Sequence, residues 1–338
     1  MLIASLLLAG IATTLSAAAS SLDTLFALRF VTGIALGGAL PALSSLTAEH
    51  AKPGNRGGTV TLMYIGYPMG GVVGGAATAA LLHLGWQKIF LGAGAACFIA
   101  LALALLLPET LKPAIARGGT APPAPKSFST AFTEQFAEGR LRAALALWLG
   151  LFCLLMLTYF LVSWTPSILA ANGASPRVAA LGSVILNLGG IVGALIMAPV
   201  INRVGPYIPV ATIVGVGAMF VALLGQHVGS LPLLMFVLFL AGACVLGGQL
   251  NFPAMTVELF PYYVRGAGNG WTVGVGRIGS IVGPWIGGIL IAAHYGMDKL
   301  FWCAAVPALV AAGALFAAVW LRPHPTERPA TATGVPMR

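Results

Sequence analysis

The stretch TAEHAKPGNRGGTVTLMYIGYPMGGVVGG, residues 47–75, returns in altered form as TVELFPYYVRGAGNGWTVGVGRIGSIVGP, residues 256–284. Both copies place a glutamate seven residues before an Arg-Gly pair and continue as a glycine-rich apolar segment. A constant offset of 209 positions joins six pairs of identical residues: Thr47/Thr256, Glu49/Glu258, Arg56/Arg265, Gly57/Gly266, Gly70/Gly279 and Gly74/Gly283. A parallel internal repeat in an apolar chain is typical of membrane proteins built from two related helix bundles.

The composition is that of an integral membrane protein. The chain is 59% hydrophobic and 7% charged, whereas a soluble domain carries roughly 25% charged residues. Alternation with the period of a strand is absent, and the apolar runs are long enough for spanning helices rather than barrel strands. We therefore predict an all-α integral membrane fold with the lipid bilayer as its surroundings.

Ten apolar runs predict about ten transmembrane helices, four and then six. They fall at roughly 1–19, 23–47, 58–82, 87–107, 143–168, 177–201, 207–226, 231–254, 267–293 and 299–321. The Pro/Gly-rich break predicts four parts: an N-terminal bundle at 1–107, a cytoplasmic linker at 108–142, a six-helix bundle at 143–322 and a cytoplasmic tail at 323–338. A first bundle of four helices is expected to leave an apolar side open.

The placement of lysine and arginine predicts the orientation. With residue 1 at the cytoplasmic face, twelve basic residues lie inside, three (Lys88, Arg177 and Lys299) lie outside, and Arg29 and Arg277 lie within spans. Both chain ends are then cytoplasmic in a cell inner membrane. This distribution explains the net charge of +9 without a nucleic-acid partner.

Several strings resemble the major facilitator superfamily between residues 22–110 and 143–322. RFVTGIALGGALPALSSLTAEHA matches the superfamily's fourth-helix signature through Arg29, Gly33 and Gly37. In detail, TGIALGGALP, VELFPYYVRGAGNGW and GRIGSIVGPWIGG resemble the aromatic acid:proton symporter family. The resemblance implies proton-coupled uptake of a small organic, aromatic acid by alternating access, with no enzyme activity and no cofactor.

The same resemblance makes the first apolar run the third helix of a twelve-helix plan. The family's first two helices, with their acidic pair, and the Gly-x-x-x-Asp-Arg-x-Gly-Arg-Arg loop have no counterpart in this chain. In the second-half copy of that loop, Asn202 stands where the family has aspartate, and Tyr207 stands where some members have histidine. Two alternatives therefore stay open: a truncated, non-transporting membrane fragment, and a facilitator for a sugar or an aliphatic acid.

Arg277 is the principal candidate for substrate binding. It follows Arg265 by twelve residues, or ~18 Å along a helix, which puts it near the bilayer midplane. An arginine at that depth costs about 2.5 to 3.5 kcal/mol on insertion scales. No neighbouring span carries an acidic residue, so a substrate carboxylate would complete the pair. The alternative is a structural arginine bonded to helix carbonyls.

Other polar and aromatic residues on the apolar runs are candidates for lining a cavity, with packing or an interfacial position as the alternative for each. Asn269, Trp271, Gln249 and Tyr64 are assigned to substrate binding, and Tyr67, Tyr159, Trp164, Asn187 and Asn251 are further candidates.

Five charged residues are candidates for proton coupling or gating. The resemblance gives Arg29 a part in moving the proton, and the alternative is that it extends outward toward Asp23. The other four are Glu49, Arg56, Glu258 and Arg265 at the predicted cytoplasmic helix ends, where ordinary capping is the alternative. The glycine runs predict close helix packing and bending. No nucleotide-binding loop, catalytic triad or metal-ligand spacing occurs in the sequence, so no metal site is predicted.

Overall fold

The computed structural model describes residues 2–50, 56–106, 133, 135–137, 139–171, 173–226, 230–260 and 264–322. The regular structure in these residues is helical, which confirms the all-α prediction. The α-helices are α1 (Leu2–Ser16), α2 (Leu22–His50), α3 (Arg56–Leu81), α4 (Trp86–Leu105), α5 (Leu141–Ala171), α6 (Pro176–Val204), α7 (Tyr207–Leu224), α8 (Leu231–Leu259), α9 (Arg265–Ala292) and α10 (Met297–Leu321). A short 3-10 turn at Leu82–Leu84 precedes α4.

Nine of the ten described helices, α2 to α10, are long and apolar enough to cross a membrane. The first is shorter than the predicted run 1–19, because α1 ends at Ser16 after 15 residues. The Ser16 hydroxyl donates to the carbonyl of Ala12, and the amides of Ala17, Ala18 and Ala19 bond carbonyls three residues back, which tightens the chain into a turn. A helix of this length is ~22 Å long, less than the ~30 Å hydrocarbon core.

Helices α5 to α10 pack around a continuous apolar core. The closest approaches use glycine, since α9 meets α5 where Gly279 and Gly283 lie against the main-chain carbonyls of Phe152 and Met156. In the same way Gly193 of α6 lies against the Ala243 carbonyl of α8. Close packing through small residues is how helices associate within a bilayer, and it confirms the packing role predicted for the second glycine run.

Helix α1 packs against both α2 and α4, whereas α3 makes its most extensive contacts with α6. Phe26, Phe30 and Ile34 of α2 are 66%, 72% and 60% exposed, and they repeat every four residues along one helix face. This open apolar stripe agrees with the open side predicted for a first bundle of four helices.

The predicted linker and tail lie mostly outside the described residues, which omit 107–132 and 323–338. In the described part of the linker, Gln135 and Arg140 are buried, and the Arg140 Nε donates to the main-chain carbonyl of Gln135. The Phe136 ring meets the Trp148 ring of α5 edge to face at 5.6 Å. The end of this segment is therefore docked on α5.

Candidate functional site

A cavity of about 320 Å³ lies where α3 faces α5, α6 and α8. Its lining is mostly apolar and includes the polar side chains of Tyr67, Thr158, Tyr159, Asn187 and Gln249. The wall on the α3 side depends on glycine, because a Cβ added to Gly71 would come within 2.7 Å of the Asn187 side chain. The cavity therefore lies between α3 and the three helices α5, α6 and α8.

A chain of three polar side chains extends from α9 to α3 along this cavity. The Arg277 Nη1 donates a 2.7 Å hydrogen bond to the Tyr159 hydroxyl of α5, and the guanidinium carbon lies 6.0 Å from the centroid of the same ring. The Tyr159 hydroxyl in turn lies 2.6 Å from the Tyr67 hydroxyl of α3. Arg277 thus contacts the cavity lining through Tyr159.

The packing of α9 on α5 explains this contact. Gly276 lies against the side chains of Leu151 and Leu155, and Gly279 lies against the Phe152 carbonyl. These glycines bring the two helix axes close together on the side of α9 next to Arg277. The arginine is therefore directed toward the following turn of α5, which carries Tyr159.

The surroundings of Arg277 are poor in negative charge. The chain has eight acidic residues, and none of them lies in 141–257 or 259–297. Within α5 to α10, the acidic residues are Glu258 at the end of α8 and Asp298 at the start of α10. No described cluster of three or more histidine, cysteine, aspartate or glutamate residues has the arrangement of a metal site.

The structure separates the other residues assigned to substrate binding. Gln249 lines the cavity, but Asn269 accepts a 3.1 Å hydrogen bond from Thr256 of α8, and Trp271 stacks on Trp148 at 6.2 Å. Asn269 and Trp271 lie ~12 Å and ~9 Å from Arg277 along α9 by the usual rise per residue. Tyr64 lies on α3, three residues before Tyr67.

Of the further candidates, Asn187 lines the cavity, whereas Asn251 and Trp164 hold helices together. Asn187 lines the cavity and donates to the Ser183 carbonyl. Asn251 is buried and donates to the Gly247 and Ala194 carbonyls, where it ties α8 to α6. The Trp164 indole donates to the Pro284 carbonyl of α9, and it therefore ties α5 to α9.

Arg29 contacts α1 and α4. Its Nη2 donates to the Ser16 hydroxyl at 2.7 Å, and its guanidinium carbon lies 4.7 Å from the Phe90 ring centroid. Its Nε is buried without a hydrogen-bond partner. Arg29 is therefore directed toward its helix neighbours, and not toward Asp23 as the alternative interpretation had it.

The predicted gating residues are described only in part. Glu258 forms an ion pair with Arg322 at the end of α10, and Arg322 also lies over the Tyr207 ring, 5.0 Å from its centroid. Helices α7, α8 and α10 therefore meet at one charged cluster. The side chains of Glu49, Arg56 and Arg265 lie outside the described part of the structure.

Sequence reasoning missed two partnerships. It named Tyr67 and Tyr159 only as members of a set, although they are the residues that connect Arg277 to the cavity. It also did not identify Arg322, 64 residues later in the chain, as an ion-pair partner of Glu258. A signal for the first was available, since Tyr67 is the 209-offset counterpart of Gly276, directly beside Arg277.

Comparison with known proteins identifies the architecture. The model of the Major Facilitator Superfamily matches residues 1–172 and 147–336. The 4-hydroxybenzoate transporter PcaK of Pseudomonas aeruginosa is 29% identical over 93% of this chain and 76% of its own length. The gallate transporter of Pseudomonas putida is 32% identical over 86% of this chain and 70% of its own length.

A solved structure has the same fold. The inward-facing, occupied form of a bacterial homologue of the human lysosomal transporter Spinster superposes with a TM-score of 0.68 at 17% identity, over 96% of this chain and 83% of that one. With nine described helices able to cross a membrane, the chain is a multi-pass membrane protein. It belongs to the Major Facilitator Superfamily.

Proposed function

We propose that this chain is a secondary active transporter that takes up a small aromatic carboxylate together with a proton. The names of its relatives, a 4-hydroxybenzoate transporter and a gallate transporter, supply the substrate class. The observation that carries the proposal is the position of Arg277, whose guanidinium reaches the cavity through Tyr159 in a region without acidic residues.

Arg277 is the proposed carboxylate anchor. A cation at this depth is costly unless a counter-charge meets it, and its described hydrogen bond is to the neutral hydroxyl of Tyr159. A guanidinium binds a carboxylate through two parallel hydrogen bonds, which are stronger than a bond to a neutral group. A substrate carboxylate would therefore supply a counter-charge that the described contacts of Arg277 do not include.

The size and lining of the cavity support an aromatic substrate. Its volume of about 320 Å³ is at the lower end of ligand pockets, roughly 300 to 1,000 Å³. Tyr67 and Tyr159 offer ring faces for stacking, while Asn187 and Gln249 offer amide groups for ring substituents. A single substituted ring fits this space better than a large drug-like molecule does.

Proton coupling and gating belong to other residues in this proposal. Arg29 contributes to proton coupling, while Glu49, Arg56, Glu258 and Arg265 form paired charge networks that close the cytoplasmic side. The proposed frame is a four-helix bundle at 1–107 and a six-helix bundle at 143–322 that move against each other about the midplane. Both chain ends lie in the cytoplasm, with the protein in the inner membrane.

Uptake into proteoliposomes tests the proposal. With an imposed gradient, alkaline inside, radiolabelled 4-hydroxybenzoate should accumulate above the level of protein-free liposomes, and a protonophore should abolish the accumulation. Unlabelled benzoate should compete, while a sugar should not. Uptake that matches protein-free liposomes would contradict transport, and uptake that survives the protonophore would contradict proton coupling alone.

A further inference from the structure

We propose that Tyr159 is a second carboxylate ligand beside Arg277, and that Tyr67 competes with the substrate for the Tyr159 hydroxyl. The inference rests on the proposed function and specifies how that site takes its acid. It assigns opposite effects to two tyrosines that touch the same cavity. Tyr159 strengthens substrate binding, and Tyr67 weakens it.

The first step concerns the geometry of the two donors. Arg277 Nη1 and the Tyr159 hydroxyl oxygen are 2.7 Å apart. Both belong to groups with hydrogens to donate, and a carboxylate has two oxygens that only accept. One carboxylate can therefore accept from the guanidinium and from the hydroxyl together, as a two-point contact.

The second step concerns the direction of the bond between the tyrosines. The hydroxyl oxygens of Tyr159 and Tyr67 are 2.6 Å apart, and Tyr159 already accepts from the Arg277 cation. A hydroxyl that accepts from a cation is polarised, so it becomes a better donor and a poorer second acceptor. We therefore assign Tyr159 as the donor and Tyr67 as the acceptor of this hydrogen bond.

The third step is the exchange on binding. Tyr159 has a single hydroxyl hydrogen, so it cannot donate strongly to Tyr67 and to a carboxylate at once. A charged acceptor forms a hydrogen bond roughly twice as strong as a neutral one, so the carboxylate displaces Tyr67. Tyr67 is 50% exposed, so its released hydroxyl is not enclosed by protein.

The fourth step is the consequence for the helices. Tyr67 lies on α3 and Tyr159 on α5, so their hydrogen bond ties a helix of the first part of the chain to one of the second. A substrate carboxylate removes this tie when it binds. A ligand shifts a conformational equilibrium only by binding its states differently, and this exchange provides such a difference.

Benzoate binding to the full chain in nanodiscs, measured by titration calorimetry, tests the inference. Benzoate is chosen because it has a carboxylate and no ring hydroxyl. Tyr159→Phe removes a ligand and should raise the Kd about two- to tenfold, the range for one net hydrogen bond. Tyr67→Phe removes the competitor and should lower the Kd by a similar factor. Tyr67→Leu serves as a second variant without the hydroxyl.

Two controls separate this account from a general packing role. Tyr295→Phe changes an exposed tyrosine beyond the end of α9 and should leave the Kd unchanged. In the double variant Tyr67→Phe/Tyr159→Phe, the Kd should equal that of Tyr159→Phe alone, since there is no longer a hydroxyl to compete for. If both tyrosines acted only through packing, each substitution would raise the Kd, and the double variant would show the two increases combined.

The outcomes are distinct. A Kd for Tyr67→Phe that is unchanged or higher than wild type overturns the inference and leaves the proposed function standing, as does an unchanged Kd for Tyr159→Phe. A wild-type chain that binds no benzoate overturns the proposed function and this inference with it. A lowered Kd for Tyr67→Phe together with a raised Kd for Tyr159→Phe supports both.

Discussion

Gly283 of α9 lies directly against the main-chain carbonyl of Met156 in α5. At its repeat counterpart, Gly74 of α3, no described residue of another helix lies within 4 Å of the position that a Cβ would take. The two glycines are equivalent in sequence but differ in surroundings, because α9 has α5 packed on this face. Among the described residues, no helix packs against the face of α3 at Gly74.

This difference predicts opposite sensitivity to alanine. Gly283→Ala must push α9 away from α5 and should destabilise the protein by about 1 to 3 kcal/mol, the usual range for overpacking. Gly74→Ala should leave the thermal unfolding midpoint in nanodiscs close to wild type. Gly279→Ala and Gly70→Ala form a second matched pair. Equal losses in both copies would mean that a helix also packs on α3.

Trp271 should act through packing and not through the substrate. The Trp271 ring stacks on Trp148, and such a pair stabilises the fold by about 1 kcal/mol. Trp271→Leu should therefore lower the thermal unfolding midpoint. Because Trp271 lies ~9 Å from Arg277 along α9, the Kd for benzoate should stay within about twofold of wild type. Calorimetry and thermal unfolding of the same preparation measure both. A large loss of affinity at unchanged stability would return Trp271 to the substrate site.

The ion pair of Glu258 and Arg322 should contribute little to stability. Both side chains are 41% exposed, and exposed pairs are worth about 0.2 to 1 kcal/mol. A double-mutant cycle of Glu258→Gln and Arg322→Gln, followed by thermal unfolding, should give a coupling energy in that range. A coupling of several kcal/mol would mean that the cluster with Tyr207 is a strong structural tie.

The orientation inferred from the basic residues has a direct test. Single cysteines at Gly173 and Ala121, in a chain whose four native cysteines are replaced, should react differently with a membrane-impermeant maleimide on intact cells. We expect labelling at Gly173 only, with Ala121 labelled after the membrane is permeabilised. Labelling of both positions in intact cells would refute the topology.

The fold was predictable because hydropathy and glycine spacing are properties of single segments. The apolar runs define α2 to α10, and the repeat identifies Gly279 and Gly283 as packing residues. The end of α1 was not predictable in this way, since Ala17, Ala18 and Ala19 are as apolar as the helix before them. Their turn is set by local hydrogen bonds, which hydropathy does not report.

From the sequence, a site residue could be identified only where its place inside a membrane span costs free energy by itself. Arg277 stood out because a charge inside a span requires compensation. Its partner Tyr159 lies 118 residues earlier, and helices that are apolar on most sides give no periodicity from which to derive their rotation. The same reason explains why the sequence could not indicate which of Asn269, Trp271 and Gln249 lies nearest to Arg277.

Arg277→Lys shows whether the guanidinium of Arg277 binds the substrate carboxylate, and Arg177→Lys, at the exposed start of α6, is the matched control. Lysine keeps the charge but cannot form the two-point contact that a guanidinium makes with a carboxylate. The measurement is the Kd of benzoate for the full chain in nanodiscs. The account predicts a rise of about tenfold or more for Arg277→Lys, with no change for Arg177→Lys and normal membrane expression of both. Wild-type affinity in Arg277→Lys would contradict the assignment of Arg277 as the carboxylate anchor.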